Sequence, residues 1–270
     1  MCYTLRMKLL CPVCGQELHR ENRRVCCAQN HSFDYARQGY LNLALRTRAG
    51  SGDEKRMVRA RTDFLHTGAY GFLRDTLCAW ISEEKPEVLT DLGCGEGYYT
   101  SAFPVREKYG FDLSKDALKY AAAHDKSTAY IVASTSCLPL PDACADMAVI
   151  CFAPVFEKEI CRILKDGGSF LTVTPGPDHL LEMKSVLYEH PYRNPEKSGV
   201  SFAPEKEEII RGTFRAGAEE LAALLTMTPY FYRTSPEAAA RLNSCGQLQI
   251  TAEFILRLYR KKSPALFPSR

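Results

Sequence analysis

A chain of 270 residues, 46% hydrophobic and 25% charged, has the balance of an ordinary globular protein and enough length to bury a sizeable core. No apolar run approaches the roughly 18 residues of a membrane span, which excludes a helical membrane protein. The net charge of +3 conceals an asymmetry: residues 1–61 carry 12 Lys and Arg against 5 Asp and Glu, and the remainder 23 against 27. A basic front end on a mildly acidic body is what a phosphate-contacting module shows, although solubility alone also produces such faces. Of the 12 cysteines, only Cys11, Cys14, Cys26 and Cys27 cluster. The other eight are scattered through apolar stretches, so a reducing, cytoplasmic setting is expected rather than a disulfide scaffold. The opening ten residues lack a continuous apolar stretch and a small-residue cleavage site, and no export signal is expected.

At the front, Cys11-Pro-Val-Cys14 places two thiolates at the ends of a tight turn, with Pro12 and Gly15 supplying the turn chemistry. Twelve residues separate Cys14 from Cys27, and three separate Cys27 from His31, enough for a short hairpin to return a second ligand pair. Cys26 competes as third ligand; the three-residue return to His31 favours Cys27. A redox Cys-x-x-Cys would follow a strand and open a helix, a context missing here. With Cys11, Cys14, Cys27 and His31 all engaged, zinc would be structural, folding a segment too short for its own apolar core. Arg20, Arg23 and Arg24 lie between the ligand pairs and are candidates for RNA contact. Phe33, Tyr40 and Leu41 read equally as the module's small core.

Arg46 to Asp53 is polar and Gly-rich, a hinge, and from Asp53 a charged helical stretch carries Met57, Phe64 and Leu65. Thr67-Gly68-Ala69-Tyr70 interrupts it before an amphipathic helix, Phe72 to Ile81. The domains expected are a zinc module over 1–45, linker and helices over 46–82, and an α/β domain over 83–270.

Val88 to Leu92 is a short buried strand, and Gly93, Gly95 and Gly97 then allow a sharp turn into a helix expected to start near Tyr98. A dinucleotide fingerprint needs G-x-G-x-x-G, whereas this loop is G-x-G-x-G with Asp91 before it and Glu96 within it. Those carboxylates repel a pyrophosphate and suit a cationic cofactor without phosphate, S-adenosylmethionine. Asp112 ends the second strand, where a carboxylate accepts ribose hydroxyls. Ala133-Ser134 stands where an acidic residue often meets adenine, leaving backbone or the Ser134 hydroxyl for that contact. Further strands are expected at Tyr130–Ala133, Met147–Phe152, Phe170–Thr174, Pro229–Arg233 and Thr251–Tyr259, making a seven-stranded, mostly parallel, Rossmann-like sheet of the class I methyltransferase type with a small N-terminal zinc-binding domain.

Phe152-Ala153-Pro154 follows the fourth strand, where an acceptor base lies, and offers nothing titratable. Cys151 reads as a buried strand residue, Glu157 and Glu159 as a solvated helix face, and no catalytic base is identified. Arg257, Arg260, Lys261 and Lys262 read either as phosphate contacts or as a charged terminus.

Across nearly its whole length the chain resembles the bacterial 23S ribosomal RNA guanine-N1 methyltransferases. The resemblance is carried by Cys11-Pro-Val-Cys14 through His31-Ser-Phe-Asp34, Gly39-Tyr-Leu-Asn42, Asp91 through Thr100, Phe152-Ala-Pro154, Thr174-Pro-Gly-Pro-Asp-His179-Leu and Met227-Thr-Pro229. It implies S-adenosylmethionine contact by Tyr70, Gly95, Glu96 and His179, structural zinc, and a homodimer that cradles an RNA hairpin. From the residues alone, Tyr70 is a packing aromatic and His179 could equally make a structural hydrogen bond at a helix start. The alternatives are a small-molecule methyltransferase with a structural zinc knuckle and an RNA-binding adaptor without catalysis.

Overall fold

The computed structural model describes residues 7–45, 55–196 and 198–261. The hinge expected at Arg46–Asp53, and Lys262, lie outside the described residues.

Four short strands, β1 (Leu9–Leu10), β2 (Glu17–Glu21), β3 (Arg24–Cys26) and β4 (Ser32–Asp34), form an antiparallel sheet in chain order. Glu21 pairs with Arg24 across a two-residue turn, and Asn22 there has φ of 54°, a left-handed conformation that asparagine tolerates. Next come β5 (Leu41–Asn42), α1 (Lys55–Leu65), α2 (Gly71–Glu84), β6 (Val88–Leu92), β7 (Glu107–Asp112), α3 (Lys115–His124) and β8 (Thr128–Val132). The chain continues through β9 (Ala145–Cys151), α4 (Glu157–Ile163), β10 (Leu164–Pro175), α5 (Leu181–Leu187), β11 (Lys206–Ala216), α6 (Ala218–Thr226), α7 (Pro236–Asn243) and β12 (Leu248–Arg260).

The large sheet runs β11-β12-β10-β9-β6-β7-β8-β5, with β12 antiparallel to both its neighbours and the pairs from β10 to β5 parallel. This is the expected seven-stranded, mostly parallel sheet, lengthened by β5, which the front segment contributes. Strand order turns back between β6 and β9, leaving a crevice at their carboxyl ends.

Two expectations need correction, and one strand escapes the sequence pattern. Pro229–Arg233 is a 3-10 turn between α6 and α7. Its aromatics suggest a strand, but Pro229 at the first position and Pro236 soon after favour a turn. The strand in that place is β11, whose exposed, charge-rich pattern hid it: as an edge strand it buries little and carries its charges outward. The helix expected near Tyr98 is a single 3-10 turn, Thr100–Ala102, because Pro104 holds Phe103 extended at ψ of 129° and stops the helix.

Side chains alternate across the sheet, so Met147, Val149 and Cys151 join one core while Ala148 and Ile150 join the other. The first core is covered by α1, α2, α5, α6 and α7. The second is shared between α4 and the front module, whose Met7, Leu9, Leu18 and Val25 pack together with Tyr109 and Phe111 of β7. The Met7 amide donates to the Tyr109 hydroxyl at 2.9 Å and the Leu10 amide to the Pro139 carbonyl at 2.8 Å, so the module is docked by backbone as well as side chains. Phe33 and Leu41 belong to this core, and Tyr40 packs beside α3.

Leu41 is 1% exposed within that shared core. Leu41→Ala is expected to cost about 2–5 kcal/mol, read as a lower urea midpoint for the whole protein. An unchanged midpoint would show that the module and the sheet do not unfold together.

Candidate cofactor and metal sites

In the front module, the ligand atoms of Cys11, Cys14, Cys27 and His31 all lie within 4.8 Å of one another. Cys11 Sγ is 3.6 Å from His31 Nδ1, Cys14 Sγ 3.6 Å from Cys27 Sγ, and Cys27 Sγ 3.3 Å from His31 Nδ1. Ligand bonds of about 2.0–2.3 Å in a tetrahedron give edges of roughly 3.3–3.8 Å, so these donors fit zinc. Two turns set them up. The Gly15 amide closes on the Cys11 carbonyl at 2.8 Å, and the Asn30 amide on the Cys27 carbonyl at 2.9 Å. Cys26, one strand position away, faces outward, its thiol toward Glu21 and Ser32.

At the carboxyl end of β6 the glycine loop folds back on β7. Gly93 and Cys94 both donate to the Phe111 carbonyl, at 2.7 and 3.1 Å, and Gly95 donates to Asp112 Oδ2 at 3.0 Å. Gly93, Gly95 and Gly97 all have positive φ. A Cβ on Gly93 would stand 2.5 Å from Ala153 Cβ, so nothing larger allows β6 and β9 to diverge around the loop. Asp112 also accepts from the Ser114 amide at 2.7 Å, a local turn that sets the half-buried carboxylate at the mouth of β7.

Asp91 is 2% exposed. Its Oδ2 accepts the Thr100 hydroxyl at 2.5 Å, whereas its buried Oδ1 has no hydrogen-bond partner among the described residues. Burial pushes this carboxyl up to about 7, with Asp112 and Glu96 adding to the rise and the Thr100 hydroxyl opposing it. Glu96 is also buried, and Arg61 of α1 reaches it with Nη1 3.6 Å from Oε2. Three carboxylates around one loop, one with a vacant acceptor atom, fit a cationic ligand.

Tyr70 and His179 come together on the other side. Tyr70 is 3% exposed, edge-on to Phe64 at 5.1 Å and to Phe254 at 4.9 Å, with its ring 6.1 Å from that of His179. The buried hydroxyls of Tyr70 and of Tyr99 have no hydrogen-bond partner among the described residues. The Glu253 amide donates to His179 Nδ1 at 3.3 Å, which leaves the ring proton on Nε2. Burial, with help from the charge of Lys184, holds His179 down at about 3, so the ring is neutral.

The loop that carries His179 is built on Glu253. A Cβ on Gly176 would fall 2.5 Å from the Glu253 carboxylate, which instead accepts the Asp178 amide at 2.9 Å and pairs with Arg211. Spacing gave no hint of Thr100, Arg61 or Glu253, because each reaches the site from a different element.

The remaining candidates separate. Arg20 stacks over Tyr35 at 5.1 Å and, with Arg23, Arg37 and Lys126, lines a cleft of about 440 Å³ between the front module and the α3–β8 edge. Arg24 lies on the other face of the hairpin, tied to Glu21 at 2.9 Å, and does not join them. Glu157 and Glu159, expected on a solvated face, are structural acceptors: Glu157 takes the Ser201 amide and hydroxyl, and Glu159 the Leu138 amide and Arg162. At the far end Arg257 pairs with Glu207, Arg260 with Glu205 and Glu84, and Lys261 with Asp166, so these charges are spent within the protein.

The sheet order, the glycine loop and its acidic surround define a class I S-adenosylmethionine-dependent methyltransferase carrying a zinc ribbon. Residues 9–44 match the family described as "RlmA, N-terminal", and residues 90–172 match "Methyltransferase domain". The 23S rRNA (guanine(748)-N(1))-methyltransferase of Streptomyces fradiae is 34% identical over 248 residues, 86% of this chain and 89% of that one. A Micromonospora griseorubida protein provisionally named a 23S rRNA (guanine-N(1)-)-methyltransferase is 30% identical over 93% of this chain and 97% of its own. The malonyl-[acyl-carrier protein] O-methyltransferase of Hahella chejuensis, 28% identical, matches only 48% of this chain and 51% of its own. The chain belongs to the 23S rRNA (guanine-N1)-methyltransferase family.

Two outcomes follow from the geometry. Cys27→Ser should abolish stoichiometric zinc in metal analysis of the purified protein, while Cys26→Ser should retain it; the reverse would reassign the third ligand. For Asp91 the folded-state pKa is raised, so its contribution to stability is present in full below the unfolded value and is lost as pH climbs through about 7. Asp91→Asn should therefore melt higher than the parent at pH 8 but not at pH 5. It should also bind S-adenosylmethionine roughly tenfold or more weakly by calorimetry. A variant that melts lower at pH 8 would mean the ionised carboxylate supports the fold.

Proposed function

We propose that this protein transfers the methyl group of S-adenosylmethionine to N1 of a guanine in a hairpin of 23S ribosomal RNA, acting in the cytoplasm as a homodimer. The observation that carries the reading is a Cys3His zinc ribbon packed into the core of the sheet whose strand β6 leads into an acidic glycine loop. The zinc ligands are Cys11, Cys14, Cys27 and His31, and the cofactor residues are Tyr70, Asp91, Gly93, Gly95, Glu96, Gly97, Asp112 and His179.

When bound, S-adenosylmethionine supplies an electrophilic methyl group and departs as the neutral thioether, while the proton displaced from guanine N1 leaves to bulk solvent. Asp91 and Glu96 surround its positive charge, Asp112 takes the ribose, and the Tyr70 hydroxyl and neutral His179 offer donors that need no change of protonation to bind. On the acceptor side Phe152, just after β9, has φ of 58°, an uncommon conformation for a bulky residue, and is 44% exposed. That strain holds an open aromatic face at the mouth of the crevice, where a guanine can stack while N1 lines up with the methyl group. Phe152, Ala153 and Pro154 carry no titratable group, so orientation and exclusion of water are what this segment contributes. Arg20 and Arg23, beside Arg37, line the cleft between the front module and the α3–β8 edge and supply phosphate contacts for the hairpin; Arg24 contributes only from the opposite face.

Stripped 23S ribosomal RNA incubated with labelled cofactor should give a primer-extension stop at one loop guanine, because an N1 methyl group blocks pairing. Arg20→Glu combined with Arg23→Glu should raise the KM for RNA about tenfold or more without changing cofactor affinity. Methyl transfer to a small molecule in the absence of RNA, with no stop, would replace this function by small-molecule methylation.

A further inference from the structure

Helix α1 packs against α3 and α6 and buries Val58, Thr62 and Leu65. Arg61 leaves from the flank of that stripe and crosses to the glycine loop. Its Nη1 lies 3.3 Å from the position a Cβ on Gly95 would take and 3.6 Å from Glu96 Oε2, and its side chain is 24% exposed against 4% for Glu96. A side chain at position 95 would therefore meet the guanidinium, which rests directly on the bend of the loop.

The cofactor's methionine end is a zwitterion, with an ammonium and a carboxylate on one carbon. Asp91 and Glu96 suit the ammonium and the sulfonium, but with Asp112 nearby the three carboxylates repel the cofactor's carboxylate. A planar guanidinium at the bend offers paired N–H donors that match a carboxylate in two-point geometry. We propose that Arg61 is a specificity residue of the cofactor site: it binds the α-carboxylate of S-adenosylmethionine while Glu96, beside it, faces the ammonium. Arg61 and Glu96 then read the amino-acid end as a pair of opposite charges, which separates the cofactor from adenosine thioethers that lack it. This inference rests on the class of cofactor already assigned.

The test is calorimetric binding of S-adenosylmethionine and of decarboxylated S-adenosylmethionine, which keeps the sulfonium and the ammonium, to the full chain and to Arg61→Ala and Arg61→Lys. The parent should prefer the carboxylated ligand by about 10- to 100-fold. Arg61→Ala should lose that preference by weakening only the carboxylated ligand, and Arg61→Lys should regain part of it. Equal weakening of both ligands, or of neither, would overturn the proposal, the former leaving Arg61 a structural partner of Glu96. A parent that bound neither ligand would instead overturn the cofactor assignment itself. Circular-dichroism melts of the two variants separate a loss of fold from a loss of recognition.

Discussion

A carboxylate buried beneath a glycine loop is costly to ionise, and the site around Asp91 turns on that cost. Asp91 accepts one hydrogen bond, from Thr100, and keeps company with two further acids, so its ionised form is poorly compensated in the protein by itself. The same arrangement becomes favourable when a cation lies over the loop, because desolvated charges then attract rather than repel. Loop geometry serves this end. Gly93 lets β6 and β9 part, Asp112 pins Gly95, and the short turn that ends before Pro104 keeps Thr100 within reach of Asp91. On the proposed function, stability given up in the free state becomes selectivity for a positively charged methyl donor.

The second organising feature is the way the zinc ribbon joins the sheet. Metal ligation closes two turns of a small four-stranded sheet that buries too little to fold alone. Docking supplies the rest: Met7 and Leu9 pack with Tyr109, and β5 pairs with β8 at the sheet's edge. The basic residues of the ribbon are thereby set in a fixed relation to α3 and β8, and the cleft between them gathers cations from both modules. On the proposed function, RNA positioning by the ribbon and methyl transfer at the glycine loop are linked through packing shared by the two modules.

Polar groups buried on the far side of the crevice play a comparable part. Glu253, fully buried, organises the loop before α5 through the Asp178 amide, Arg211 and the gap left by Gly176, and its own amide fixes the tautomer of His179. Such a network is costly to break and holds one arrangement when complete. It lets a histidine act as a neutral donor at any physiological pH.

Much of this was legible in the residues. The Cys-x-x-Cys turn, the return to His31, the G-x-G-x-G loop and its flanking acids depend on short spacings and on residue chemistry, and local geometry converts these directly into a ligand set and a turn. Apolar runs such as Val88–Leu92 and Met147–Phe152 revealed central strands because burial on both faces demands continuous hydrophobicity. Edge strand β11 escaped for the opposite reason, and the aromatic Pro229–Arg233 segment misled because proline and packing between α6 and α7 outweigh β propensity. Spacing could neither divide Arg20 and Arg23 from Arg24, which depends on the faces of a paired hairpin, nor bring Arg61 and Thr100 to the loop. The sequence by itself determined the chemistry of the two sites and the strand-rich core; the tertiary structure alone decided which distant side chains meet there, because those contacts are set by how helices and sheets pack, a long-range property that no local pattern encodes.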